Sequence, residues 1–424
     1  MSTLKYWLWL TTRKGLGTRS ALQVLEWFGS PEGAFFADPA EYARIPDLSQ
    51  TERSALENKN LAEPNTILGD CERLGIRILT YQDASYPERL RNIFDPPLVL
   101  YVKGKTIPFD ERVAIGMVGT RECSPYGIKQ GGKIAMELAR SGAVVVSGIA
   151  EGIDTACIKG ALSGGGTVVS VLGGGIDVYY PTCSRYLYDD VAAVGALISE
   201  YPPGTPPMGA HFPIRNRIIS GLSLGVVVVE SKMNGGSMHT VNHVADQSRD
   251  LFALPGPVDV ETCRGTNSLI REGSARLVTC GWDILEEYVD RYPFAIHRPA
   301  PMTREAEESR LEQLASGAEE AKTAKTRPVR AESGKPKAKQ EGGNAKAPEE
   351  DRVPWSKMRD KLTDDQRDIL LALEARPLVA DEVVELTQIP TRHVLSALTI
   401  LQVQGYVTQE PGKRFRAQLK LKVE

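Results

Sequence analysis

The sequence predicts a doubly wound α/β sheet in the middle of the chain, with a small helical unit before it and a winged helix after it. Three observations carry this expectation. Between residues 98 and 290, short runs rich in Val, Ile and Leu alternate with helical stretches. Each run is apolar nearly throughout, as parallel strands buried on both faces must be. Several of the runs end in glycine-bearing turns, and in such sheets ligands bind at the carboxyl ends of the strands.

At roughly 100–200 residues per domain, 424 residues allow about two to four domains. With 42% hydrophobic and 25% charged residues, a sizeable core forms and whole-chain disorder is excluded. A net charge of −3 excludes coating nucleic acid or membrane by bulk positive charge, so any nucleic-acid site is a local patch. The cysteines, Cys71, Cys123, Cys157, Cys183, Cys263 and Cys280, form no C-x-x-C pair. Neither a disulfide framework nor a zinc knuckle follows, and a reduced, cytoplasmic compartment is expected. Residues 1–10 are apolar but too short to span a membrane, and no apolar run of about 18 residues exists, so no membrane partner is expected.

In chain order, residues 1–80 read as a helical domain. A Gly15-Leu16-Gly17 turn opens a helix that stops at Gly29; others start near Asp38-Pro39 and Ser49. The Gly-Leu-Gly turn suits a helix-hairpin-helix phosphate contact or, more commonly, a plain packing helix. Residues 81–294 hold the sheet, with strands expected at 113–118, 143–147, 167–172, 196–199, 226–230 and 250–254. Residues 295–355 read as a mixed-charge flexible linker without an aromatic between Phe294 and Trp355, helical around 303–314.

Residues 356–424 read as a winged helix. Helices are expected over 364–373 and 380–386, with a third opened by Pro390, carrying Val394, Leu395, Leu398 and Leu401, and closed by Gly405. A hairpin over 406–418 turns at Pro411-Gly412. The third helix offers only Arg392 and His393, whereas the hairpin has Lys413, Arg414 and Arg416. Protein contact or weak backbone contact therefore outweighs base readout.

Four turns and one helix carry the chemistry. Gly116-Met117-Val118-Gly119-Thr120-Arg121 lacks the G-x-G-x-x-G spacing, so no dinucleotide cofactor is expected. The turn can still hold an anion, with Arg121 adding a planar charged fork, unless Arg121 is a surface ion-pair partner. In Ser147-Gly148-Ile149-Ala150-Glu151-Gly152-Ile153-Asp154 the glycines permit close approach of a ligand, and Asp154 reads first as a helix cap. The third turn is Gly173-Gly174-Gly175-Ile176-Asp177, followed by Tyr179-Tyr180-Pro181; the fourth is Asn234-Gly235-Gly236-Ser237. His211-Phe212-Pro213-Ile214-Arg215-Asn216-Arg217 sets an aromatic beside two arginines, suited to stacking on a base and holding phosphates. The alternative places Phe212 in the core and pairs the arginines with Glu200 or Glu230.

Taken together, Val118-Gly119-Thr120-Arg121, the Ser147 to Asp154 turn, the helix from Phe212 to Ser223, Pro255-Gly256 and Gly265-Thr266-Asn267-Ser268-Leu269-Ile270 resemble the bacterial DNA-processing DprA (Smf) family. The likeness spans about 98–288, and the flanking domains agree in order, the first as a helix-hairpin-helix or SAM-like unit. It implies an extended Rossmann-like domain that binds single-stranded DNA, forms a homodimer and loads a RecA-type recombinase in natural transformation. By resemblance, Gly119, Thr120, Arg121, Ser147 and Gly148 bind phosphate, Phe212 stacks, and Arg215 and Arg217 shape or charge the groove. The chain departs from the family pattern at Cys157, at Thr182-Cys183 and at Met208-Gly209-Ala210.

Catalysis has less support. Ser220, Ser223 and Ser237 lack the G-x-S-x-G elbow. His239, His243 and Asp246 share helical spacing, but Thr240 stands where a zincin needs Glu, so no metal is expected. A phosphoribohydrolase-like nucleotide enzyme is the rival reading. Its P-G-G-x-G-T-x-x-E turn is not matched by Asn234-Gly235-Gly236-Ser237-Met238-His239-Thr240. A scaffold whose winged helix recruits a regulator is the third reading. It predicts no salt-dependent oligonucleotide binding.

Overall fold

The structure, a computed structural model, describes residues 3–300 and, in part, 353–422. The expected helix at 303–314 and most of the linker lie outside the described residues, as do Pro390, Arg392, His393, Leu395, Gly405, Pro411, Gly412 and Lys413. The chain divides into two compact units, Met1–Val329 and Arg330–Glu424.

Six helices open the first unit: α1 Leu4–Thr11, α2 Thr18–Phe28, α3 Pro31–Phe36, α4 Pro39–Tyr42, α5 Gln50–Glu57 and α6 Ala62–Leu74. The predicted punctuation is in place. Gly29, at φ +71°, ends α2; Asp38 caps α4; Ser49 and Glu52 form a capping box on α5. The N-terminus of α2 is satisfied from within. The Glu52 carboxylate accepts the Ser20 hydroxyl at 2.5 Å, which holds it below the usual carboxylate range. The helix opened by the Gly-Leu-Gly turn is thus bonded in its first turn to α5. The aromatic start of the chain becomes α1. Trp7, Trp9, Leu56 and Cys71 join the same core as Tyr101 and Leu197 of the sheet, so the helices have no separate core.

Nine strands form that sheet: β1 Arg77–Thr80, β2 Val99–Gly104, β3 Ala114–Val118, β4 Val144–Ser147, β5 Thr167–Leu172, β6 Ala196–Ser199, β7 Gly225–Val228, β8 Asp250–Ala253 and β9 Arg276–Leu277. Their order is β1-β2-β6-β5-β4-β3-β7-β8-β9; β2 runs against its neighbours and all other pairings are parallel. The six expected strands all form, with small shifts at their ends. The chain winds outward from β3 through β4, β5 and β6, then returns to the other side of β3 as β7. The switch point lies beyond Val118 and Val228, where such sheets hold ligands.

The pleat sorts the strand residues into two layers. Ile115 and Met117 face the core under α8 (Pro125–Arg140) and α9 (Ile153–Ser163); α7 is the short Glu88–Arg91. Ala114 and Val118 face the other, under α11 (His211–Leu222) and α12 (Ser237–Asp246), with α10 spanning Arg185–Val194. The departure at Cys157 falls in the first of these cores, where burial raises its thiol pKa. Beyond the sheet, Ile296 is buried, and the His297 N–H donates to the Ser141 carbonyl at 3.0 Å. The stretch expected to begin a linker at 295 therefore starts packed at the C-terminus of α8. Among the described residues, no helix is long and apolar enough to cross a membrane.

The second unit carries Asp364–Glu374 and Ala380–Thr387 as helices, near the predicted limits. Val407–Glu410 and Arg414–Ala417 pair antiparallel as the expected hairpin, with Leu378–Val379 alongside. Val394, Leu398 and Leu401 are buried with Ile369, Leu373 and Phe415, the core expected of a winged helix.

Close packing of α8 on α9 depends on glycine. A Cβ on Gly160 would lie 2.1 Å from the Gly132 carbonyl oxygen. Gly160→Ala is therefore expected to lower unfolding stability by about 1–3 kcal/mol in urea titrations, with the far-ultraviolet spectrum retained.

Candidate nucleic-acid interface

A groove of about 560 Å³ lies at the switch point. Its walls include Gly119, Thr120, Arg121, Asp154, Tyr180, Phe212, Arg215 and His239. The turn after β3 is anchored at its root. The Thr120 N–H donates to the Glu230 carbonyl at 2.8 Å, and the Ile153 N–H donates to the Thr120 carbonyl at 3.2 Å. Gly152, at φ +83°, brings the next turn against it, since a Cβ there would lie 2.4 Å from the Arg121 carbonyl oxygen. Arg121 is left with an exposed side chain on a fixed backbone.

The turn after β4 is organised by a buried arginine. Arg215 of α11 donates from Nη1 to the Gly148 carbonyl at 2.9 Å and to the Val171 carbonyl. A Cβ on Gly148 would lie 2.4 Å from that guanidinium. Gly148 therefore accommodates the chain's own arginine. Its N–H donates to Asp154 Oδ2 at 3.1 Å, and the buried Ser147 hydroxyl donates to the Met117 carbonyl at 2.7 Å. Ile149, between them, is held at φ +57°, a left-handed conformation that costs a β-branched residue about 1–3 kcal/mol.

Asp154 does not cap α9; it lies in the first turn of that helix and reaches back to Gly148. Burial pushes its carboxyl up to about 6, against the opposing charge of Arg215. Burial likewise lowers the pKa of Arg215.

Phe212 lies in the first turn of α11, and its ring lies against Gly173, where a Cβ would be 3.0 Å away. The Arg121 guanidinium stands 5.2 Å from the ring centroid and that of Arg215 5.9 Å. Tyr180 packs beside it at 5.4 Å between centroids.

The groove thus gathers Gly119, Thr120, Arg121, Phe212 and Arg215. It does not gather Ser147, Gly148 or Arg217. The polar groups of the first two are bonded internally, as described. Arg217 is 2% exposed and pairs with Asp95 at 2.8 Å and Glu200 at 2.7 Å, which is the ion-pair alternative. His243 Nε2 lies 3.2 Å from the Pro213 carbonyl oxygen, and no cluster of metal-ligating side chains occurs among the described residues.

One participant carried no expected role, and another, Glu230, was expected only as a partner of the arginines and pairs elsewhere. Tyr180 lines the groove; its only sequence signal was the glycine run ahead of it. Glu230 is fully buried at the N-terminus of α8. Its carboxylate accepts the Ser124 N–H at 3.0 Å and the Ser124 hydroxyl at 2.8 Å, and it also accepts the Thr262 hydroxyl. A Cβ on Gly127 would fall 1.9 Å from Glu230 Oε2. In dinucleotide-binding sheets this helix end receives a phosphate; here a side-chain carboxylate already fills it.

The fold and site define a Rossmann-like protein whose switch-point crevice carries its own carboxylate at the α8 terminus and is edged by an exposed arginine on an aromatic ring. The comparisons with known proteins narrow this class. The model of the family described as DNA recombination-mediator protein A matches residues 77–289, and that of the DprA winged helix domain matches residues 356–413. The DNA processing protein DprA of Streptococcus pneumoniae is 35% identical over 297 residues, 68% of this chain and 99% of that protein. Protein Smf of Synechocystis is 29% identical over 97% of this chain and 98% of its own length. The X-ray structure of the Streptococcus pneumoniae protein matches with a TM-score of 0.60 and 34% identity, covering 67% of this chain and 97% of that one. The chain belongs to the DNA recombination-mediator protein A (DprA, Smf) family of DNA-processing proteins.

The buried carboxyl gives a pH signature. Asp154 is raised in the folded state, to about 6, above the roughly 3.9 of an unfolded chain. Its stabilising contribution is fully present below the unfolded value and is lost as pH rises through the folded one. The unfolding free energy of wild type minus that of Asp154→Asn is expected to fall by about 1–3 kcal/mol between pH 4 and 7. An equal difference at both pH values would show that this carboxyl is not raised by burial.

Proposed function

We propose that the groove at the switch point binds single-stranded DNA, and that the protein protects incoming DNA and loads a RecA-type recombinase in natural transformation. It acts as a cytoplasmic homodimer and as a binding protein rather than an enzyme. The observation that carries this reading is Arg121, an exposed guanidinium set over the Phe212 ring at the mouth of the groove. A cation on a fixed turn attracts a phosphodiester, and an aromatic beside it tolerates any base. Membership of a DNA-processing family supports the same reading. The Glu230 carboxylate at the α8 terminus disfavours the nucleotide-enzyme alternative, because a nucleotide phosphate would meet a buried negative charge there. A homodimer would double the length of strand engaged and raise avidity.

Fluorescence anisotropy of a labelled single-stranded oligonucleotide, at two salt concentrations and with duplex as competitor, tests the proposal. Binding is expected to prefer the single strand and to weaken with salt. Arg121→Ala should weaken it about tenfold at low salt and reduce the salt slope by about one. Phe212→Ala should also weaken binding without unfolding the protein. Unchanged affinity in both variants would remove the groove from consideration.

A further inference from the structure

We propose that a second cavity, on the sheet face beyond the end of α11, is a binding site for a small amphipathic anion with an aliphatic body and a carboxylate head. It shares no wall with the groove at the switch point, so the proposal is independent of the DNA reading.

The cavity has a volume of about 350 Å³, at the small end of the roughly 300–1,000 Å³ of small-molecule sites. Its floor is the outer part of the sheet. Leu100 and Val102 of β2 face it together with Ala196 and Ile198 of β6, and Val102 pairs with Ile198. Over the middle of this sheet face, α11 and α12 supply the cover. α11 ends at Leu222, which forms one wall. Beyond it the connecting segments around Ser85 and Ile107 take over, and they leave the floor incompletely filled. Ala196 deepens the gap, since it offers only a methyl group. Phe109 is the one aromatic side chain among the described lining residues. Such walls suit a methylene chain better than a planar base.

The rim is cationic. Arg77 and Lys105 line the cavity and are exposed. Arg77 stands opposite Val102 in the β1–β2 pairing. It donates from Nη1 to the Thr106 hydroxyl at 2.6 Å and from Nη2 to the Gly104 carbonyl at 3.2 Å. These bonds tie its guanidinium to the segment that carries Lys105. Among the described residues neither cation has a carboxylate partner. Asp83, the one acid in the wall, accepts the Thr80 N–H at 2.6 Å, so its charge is engaged by the backbone.

An aliphatic cavity bordered by two unpaired cations selects on both counts. Burial of apolar surface holds the body of the ligand, and charge-assisted hydrogen bonds hold its head. A neutral amphiphile forgoes the second contribution, and inorganic phosphate forgoes the first.

Isothermal titration calorimetry of the full chain with decanoate, decanol and inorganic phosphate tests the proposal. Decanoate is expected to bind at a single site per chain, with a negative heat-capacity change. Decanol should bind about 5- to 30-fold more weakly, and phosphate not measurably. The double variant Arg77→Gln, Lys105→Gln should bring decanoate down to the affinity of decanol and leave decanol unchanged. Ala196→Leu fills the floor, and Ser85→Trp blocks the exposed rim. Each should weaken both ligands by about tenfold or more, with the urea midpoint kept. Should Ala196→Leu fail to fold, Ser85→Trp decides. Wild-type decanoate affinity in the folded plugged variants would put the ligand elsewhere and overturn the site. Equal affinity of the wild type for decanoate and decanol would overturn the anionic head, and no binding of either would overturn the whole proposal.

Discussion

A buried guanidinium ties the strand ends together. Arg215 reaches from α11 to the carbonyls of Gly148 and Val171, beyond β4 and within β5. An isolated charge in that position would be costly, and carbonyl dipoles together with the field of Asp154 offset the cost. Much of the local chain is explained by this one contact. Gly148 lacks a Cβ because the guanidinium lies where a Cβ would be. Ile149 tolerates a left-handed backbone because Gly148 before it and Ala150 after it are bonded in place. Phe212, three residues before Arg215 on the same helix, is thereby fixed over Gly173.

A second device appears twice. At the start of α2 and again at the start of α8, the positive end of a helix is met by a carboxylate from elsewhere in the chain, Glu52 in one case and Glu230 in the other. Each site could have received a phosphate by the physics of helix ends. In both, internal pairing has consumed that capacity. The protein keeps the strand order of a dinucleotide-binding sheet while its anion-attracting group is a side chain, Arg121, on the exposed turn beside the helix.

The central strands were legible because burial on both faces demands uninterrupted apolar runs, and β3 to β8 have them. β1 and β9 begin with arginine and are partly or wholly exposed along their length, so their runs carry no such mark. Gly119, Thr120, Arg121 and Phe212, which motif context singles out, do line the groove. Ser147 and Gly148, expected at the groove, are not among its walls, for a physical reason: a glycine at a strand end marks close approach, and sequence does not say whether a ligand or the chain's own side chain approaches. Arg217 shows the same limit. Its partner Asp95 is 122 residues away, and no local pattern reports a pairing of that range. Tyr180 owes its fixed backbone to a hydroxyl eight residues downstream, which periodicity does not reveal.

The shared core of the opening helices and the sheet separates two kinds of boundary. The region matched by the family begins at residue 77 and ends at 289. The apolar core is not cut at either point, since Trp7, Trp9 and Cys71 lie in it from one side and Ile296 from the other. A fragment trimmed to the homologous segment would uncover Leu98 and Tyr101, leaving a sticky face on a soluble-looking sequence. Inherited similarity and cooperative folding are drawn on different lines in this chain, and a clone designed on the first would be expected to aggregate for want of the second.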